Sequence, residues 1–210
     1  MPSKWNLKEK VALITGATKG IGLAIADEFV ELGAGVFIVA RDQEMIDEQV
    51  EKYRVNGHQA WGCKADVTCK EDRINLFEKI QADAGKLDIV VNNVGMNIRK
   101  KMVTYAEEEY LKIIQTNMHS TFDICQRSYE LLKKSDAGAL VNIVSTAGMT
   151  HLRTGAPYGM TKAALIQLTR NLAGEWALDG IRVNAVAPWY TRTPLVNKLL
   201  EDQAYLNNII

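Results

Sequence analysis

Six short apolar runs punctuate this 210-residue chain, and stretches with helical spacing separate them. The runs are Val11 to Thr15, Val36 to Ala40, Ala60 to Asp66, Leu87 to Asn92, Ala139 to Ser145 and Ile181 to Ala187. They are rich in β-branched residues and several are nearly unbroken, the pattern of strands buried on both faces. Helical stretches fall at Gly22 to Leu32, Asp42 to Asn56, Lys70 to Ala84, Tyr110 to Lys133 and Pro157 to Leu178. Such alternation implies an α/β fold: a doubly wound parallel sheet with helices on both faces and right-handed crossovers. No fixed-period repeat, low-complexity tract or Pro/Gly linker divides the chain, so one domain over residues 1–210 is expected. Ligands of such sheets sit beyond the carboxyl ends of the strands. The motifs below all fall there.

Composition narrows the partners. Lys plus Arg and Asp plus Glu both number 25, a net charge of zero that gives no reason to expect nucleic acid or an acidic membrane. Cys63, Cys69 and Cys125 are odd in number and lack a Cys-x-x-Cys spacing, which argues against a disulfide scaffold or a metal site. No apolar run is long enough to span a bilayer, and the N-terminus lacks the apolar core of a secretion signal. A soluble, cytoplasmic protein with reduced thiols is the expectation.

The first run leads into Thr15-Gly16-Ala17-Thr18-Lys19-Gly20-Ile21-Gly22. Three glycines in seven residues allow a tight turn and a close approach of phosphate to backbone. The helix that follows offers unpaired N–H groups and the positive end of its dipole. A strand before and a helix after make this turn a dinucleotide-binding candidate. Its spacing, Gly-x-x-x-Gly-x-Gly, resembles the short-chain dehydrogenase/reductase family. Further motifs carry the resemblance from about Leu7 to Leu195: Asn92-Asn93-Val94-Gly95, Asn117, Ser145, Tyr158-x-x-x-Lys162, and Pro188 followed by Thr193. Within the family, Leu172-Ala-Gly-Glu-Trp-Ala and Trp5-x-Leu look most like the tropinone reductase-like branch. The resemblance implies a Rossmann-like NADP(H)-binding domain and, for a full-length protein, a homodimer or homotetramer.

A carboxylate ending the second strand would bind the ribose of NAD and repel a 2′-phosphate. The family's discriminating acid aligns with Ala40, and Arg41 follows it. Arg41 and Lys19 together favour NADP(H), with a bidentate guanidinium and a compact ammonium facing the phosphate. Both also fit solvated surface cations. Asp42 is open between meeting the ribose and pairing with Arg41. The resemblance implies adenine contacts for Asp66 and the adjacent Val67, although Asp66 equally suits a cap of the next helix. It places Asn93, Val94 and Gly95 under the adenine side of the cofactor, with Val94 where the family usually has Ala.

Tyr158 and Lys162 lie four apart on a helix and share one face. A phenol titrates near ~10, and a nearby ammonium favours tyrosinate and lowers that value. Tyr158 would then give its proton to a developing alkoxide. Ser145, thirteen residues earlier, would hydrogen-bond the substrate oxygen. Asn117 matches the family's fourth catalytic position, an anchor and a station in a water relay to Lys162. Pro188 should run along the nicotinamide, with Thr191 and Thr193 holding its carboxamide. Trp189 stands where the family usually has Gly. Asn97, His151 and Trp189 are substrate-contact candidates with Ser145, among neighbours Met96, Ile98, Thr146 and Leu152. Arg99 and Arg153 either point into water or stand at the pocket mouth, where they would disfavour a cationic amine.

The sequence ends at Ile210, whereas family members usually continue through another helix and a seventh strand, so a C-terminally short domain is expected. Two classes remain: an NADPH-dependent ketone or aldehyde reductase, and a catalytically silent NADP-binding protein or fragment.

Overall fold

Residues 5–153, 155–193, 196–197, 201 and 203 are described by the computed structural model. Strands β1 (Val11–Thr15), β2 (Gly35–Ala40), β3 (Ala60–Lys64), β4 (Ile89–Asn92), β5 (Ala139–Ile143) and β6 (Arg182–Val186) form one sheet. All pairs are parallel, in the order β3-β2-β1-β4-β5-β6. The order reverses beside β1, so the clefts at the carboxyl ends of β1 and β4 are the switch point where such sheets hold ligands.

Strand alternation divides the core between two faces. Leu13, Phe37, Val90 and Leu140 pack with residues of α3 (Lys70–Asp83), α5 (Ser120–Lys133) and α6 (Ala156–Glu175). Ile14, Ile38, Val91 and Ile143 share the opposite cluster with residues of α1 (Gly20–Glu31) and α2 (Gln43–Val55). The Rossmann-like doubly wound arrangement is therefore present.

The structure departs from the sequence reading at several boundaries. The stretch Tyr110 to Lys133 is not one regular helix. It comprises α4 (Glu107–Ile114), a π-helical turn at Gln115–His119, and α5. β3 stops at Lys64 and β5 at Ile143, so Asp66 and Ser145 lie in the turns beyond the strands. α6, expected over Pro157 to Leu178, ends at Glu175 and is followed by a short 3₁₀ turn, Ala177–Asp179. Apolar runs overstate strands wherever the chain stays buried after leaving the ladder, as Ala65 and Val144 do.

Candidate active site

The turn uses its glycines for two reasons, backbone angle and space. Gly16 and Gly20 adopt φ of 68° and 60°, the region that favours glycine. A Cβ on Gly22 would stand 2.3 Å from the Gly16 carbonyl oxygen and 2.5 Å from Asn93 Nδ2. Asn93 braces the turn from the end of β4: its Nδ2 donates to the carbonyls of Thr15 (2.9 Å) and Gly16 (3.2 Å). Its backbone N–H and that of Val94 donate to the Thr15 hydroxyl, at 3.0 and 3.2 Å. The amide of Asn93 thus serves the turn itself. The N-terminus of α1 has no side-chain cap and no acidic residue in its first turn. Its first N–H groups, from Gly20, Ile21 and Gly22, lack intrahelical acceptors and are suited to an anion. Thr18 is buried in the same turn, and Lys19 is exposed.

Arg41, also exposed, follows β2. Neither it nor Lys19 forms an ion pair among the described residues. Asp42 does not pair with Arg41; its carboxylate caps α2 by accepting from Met45 N–H at 3.3 Å. Asp66 does not cap α3, whose N-cap position is Cys69. Its Oδ1 accepts from the Thr68 N–H and hydroxyl, at 2.9 and 2.7 Å. Burial would raise the Asp66 carboxyl, but those bonds and the charges of Arg41 and Lys112 hold it below its ordinary value. Arg41 and Asp66 therefore share one electrostatic neighbourhood at the ends of β2 and β3.

Ser145 begins the 3₁₀ turn Thr146–Gly148, and its hydroxyl accepts from Ala147 N–H at 3.1 Å. Gly155, with φ of 93°, precedes α6, and Pro157 stands in that helix's first turn. In the first turn of α6, the Tyr158 phenol lies close enough to the Ser145 hydroxyl for that group to favour its ionised form. Lys162, 3% exposed, lies a turn further on. Its Nζ donates to the Ile143 carbonyl at 2.7 Å and sits 5.7 Å from the Tyr158 ring centroid. Burial pushes the Tyr158 phenol up, and the Ser145 hydroxyl and the charge of Arg99 offset only part of that. Burial also pulls the Lys162 ammonium from 10.5 down to about 8. In the chain alone, burial outweighs the lowering of the Tyr158 pKa expected from its surroundings. Both groups share a dry site that disfavours tyrosinate and ammonium alike. Arg99, on an exposed loop, is the cation that Tyr158 feels.

Asn117, fully buried in the π-helical turn, joins two segments. Its Oδ1 accepts from Met96 N–H at 2.8 Å, and its Nδ2 donates to the Met96 carbonyl at 2.9 Å and to Thr161 Oγ1 at 3.2 Å. Thr161 in turn donates to the Tyr158 carbonyl at 2.8 Å. A Cβ on Gly95 would lie 3.4 Å from Lys162 Nζ and 3.7 Å from Asn117 Oδ1. Asn117 therefore pins the Gly95–Met96 turn against the helix that carries Tyr158 and Lys162.

The segment after β6 spans the two halves of the site. The Pro188 carbonyl accepts from Thr146 N–H at 3.3 Å, beside Ser145. Thr193 lies against the glycine turn, 3.5 Å from where a Gly20 Cβ would stand. Between them Thr191 is exposed, its hydroxyl donating to the Trp189 carbonyl at 3.2 Å. Trp189 is 47% exposed and meets Tyr190 edge-on, with centroids 5.3 Å apart. His151 and Arg153 are exposed beyond the Ser145 turn. Both amide atoms of Asn97 are buried without a hydrogen-bond partner among the described residues. An orphaned buried amide is costly unless a ligand or water meets it.

Comparison with known proteins agrees with this geometry. The family model for short chain dehydrogenase matches residues 10–204. A tropinone reductase homolog of Arabidopsis thaliana is 45% identical over 208 residues, which cover 99% of this chain and 79% of the relative. Senescence-associated protein 13 of the same plant is 42% identical, over 96% of this chain and 75% of its own length. Among solved structures, a gluconate 5-dehydrogenase from Burkholderia cenocepacia in complex with NADP and tartrate superposes with a TM-score of 0.90. Its identity is 30%, and the match covers 95% of this chain and 78% of that one.

Proposed function

This chain belongs to the short-chain dehydrogenase family, in its tropinone reductase-like branch, and we propose that it reduces a small ketone or aldehyde to an alcohol with NADPH. The observation that carries the proposal is the convergence of Ser145, Tyr158 and Lys162 beside a glycine turn with no room for larger residues. The turn fits a dinucleotide: the uncapped start of α1 supplies N–H groups for the pyrophosphate. Arg41 and Lys19 meet the 2′-phosphate, and the NADP of the Burkholderia enzyme supports that choice. Asp66 and Val67 receive the adenine, with Asn93, Val94 and Gly95 beneath it. Pro188, Thr191 and Thr193 hold the nicotinamide end.

When bound, the cofactor supplies the hydride. Ser145 donates to the substrate oxygen and orients it toward the Tyr158 phenol. Tyr158 transfers its proton to that oxygen as negative charge develops, so one hydride and one proton complete the alcohol. A phenol kept neutral by burial is in the correct state to donate. Lys162 stabilises the tyrosinate left behind, and Asn117 holds Lys162's surroundings in place. Such acid–base help contributes ~10²–10⁴-fold, and one donor to the oxyanion about 10²–10³-fold. Asn97, with its unpartnered amide, heads the substrate contacts, followed by His151 and Trp189.

The three cysteines are unbonded, in keeping with the proposed cytoplasmic location, and among the described residues no helix is long and apolar enough to cross a membrane. A 42% identical Arabidopsis relative is described as chloroplastic, which makes organelle fractionation the check. The full-length protein is taken as a homodimer or homotetramer, to be read by analytical ultracentrifugation. The activity is tested by following NADPH oxidation against cyclic and aliphatic ketones and aldehydes. Turnover of at least one is expected. NADPH binding with no turnover of any carbonyl would replace the reductase with a silent nucleotide-binding protein.

A further inference from the structure

The turn proposed to receive the adenine is held by its carbonyls from two other elements. Asp66 N–H donates to the Asp72 carboxylate at 2.8 Å, and the Asp66 carbonyl accepts from Cys69 N–H at 2.9 Å. The Val67 carbonyl accepts from Arg73 Nη1 at 2.6 Å. The Thr68 carbonyl accepts from Gln115 Nε2 at 3.1 Å. Arg73 belongs to α3 and is only 2% exposed; its Nε bonds Asp123 of α5 at 2.6 Å. Asp123 also accepts from Arg127 at 2.7 Å. Burial would raise the Asp123 carboxyl, but the two arginines hold it below its ordinary value. The buried guanidinium therefore has a charged partner and is fixed in place.

Gln115 stands two residues before Asn117 in the π-helical turn. Residues two apart on a helical turn project toward nearly opposite sides. Gln115 accordingly reaches back to Thr68, while Asn117 reaches Met96 and Thr161 beside Tyr158 and Lys162. One short irregular turn braces both ends of the candidate cofactor cleft. A regular helix would not need the extra residue per turn, and π insertions recur at functional sites.

We propose that Gln115, with Arg73 behind it, is a positioning residue for the adenosine half of the dinucleotide. It fixes the Asp66–Thr68 turn to the π-helical turn that carries Asn117, so that the turn is ordered before the nucleotide arrives. The inference rests on the reading of this chain as an NADP(H)-dependent enzyme. It assigns Gln115 to affinity for the adenosine end, with no part in the chemical step.

The test compares wild type with Gln115→Met, which keeps length and loses the donor, and Gln115→Lys, which restores a donor. Calorimetry with NADPH and with adenosine 2′,5′-bisphosphate, a ligand without nicotinamide, needs no turnover. Gln115→Met should weaken both ligands by the same factor, about 3- to 10-fold, as expected for one hydrogen bond. Its kcat at saturating NADPH should stay within about twofold of wild type, and Gln115→Lys should recover most of the affinity. Equal affinities in wild type and Gln115→Met overturn the proposal. So does a loss that tracks a fall in melting temperature and is not restored by Gln115→Lys. A wild-type protein that binds both ligands but reduces no carbonyl overturns the reductase reading alone. One that binds neither overturns both.

Discussion

Replacing Lys162 with Met tests whether the proton-delivery site is maintained at a cost in stability. Lys162 is 3% exposed, and its ammonium has the Ile143 carbonyl, at 2.7 Å, as its hydrogen-bond partner. Burial lowers its pKa from 10.5 to about 8. A lysine with a folded-state pKa below the unfolded one leaves the unfolded chain holding more protons across that interval. Stability therefore rises with pH between about 8 and 10.5, and the burial cost is fully present below about pH 8. At pH 7 that cost is about 3 kcal/mol. Met removes the charge but forfeits a charge-assisted hydrogen bond, about 1.5–3 kcal/mol. Lys162→Met should therefore be roughly 1 kcal/mol more stable than wild type at pH 7, and should lose about 2 kcal/mol relative to it by about pH 9.5. Urea unfolding of both proteins at the two pH values, with equal m-values, reads the difference directly. A difference that does not change with pH refutes the reasoning.

Other predictions follow from single contacts. Asn117→Ala removes three side-chain hydrogen bonds and should cost about 2–4 kcal/mol, a fall of roughly 5–12 °C in melting temperature by calorimetry, with turnover falling too. Gly22→Ala would place a Cβ 2.3 Å from the Gly16 carbonyl oxygen and should abolish NADPH binding measured by fluorescence titration. Arg41→Ala should lower the ratio of NADPH to NADH activity by ~10-fold or more, and an unchanged ratio would remove Arg41 from the 2′-phosphate site.

Much of the framework was readable because burial writes itself into strands. Runs such as Val11 to Thr15 and Val36 to Ala40 are apolar on both faces, and the sheet has them where they were expected, in register. Motif positions were readable for a related reason: a strand end followed by glycine has few alternatives. Side-chain choices between competing partners were not. Asp42 was open between ribose and Arg41; it does not pair with Arg41 but caps α2, because the free N–H of Met45 lies one turn away. Nothing in the sequence singles out Arg73, and only the fold reveals Asp123 and the Val67 carbonyl around it. The π-helical turn is hidden in the apolar periodicity of Tyr110 to Lys133, since one inserted residue does not break the pattern. The pKa of Tyr158 went the other way from expectation because spacing encodes the neighbouring ammonium but not how dry the shared site is.

The central claim, that Tyr158 delivers the proton, is tested most directly by Tyr158→Phe. The variant keeps the ring beside Lys162 and removes only the transferable proton. The account predicts NADPH binding within about twofold of wild type and turnover reduced by ~10²-fold or more on whichever carbonyl wild type reduces. Normal turnover in that variant would contradict it.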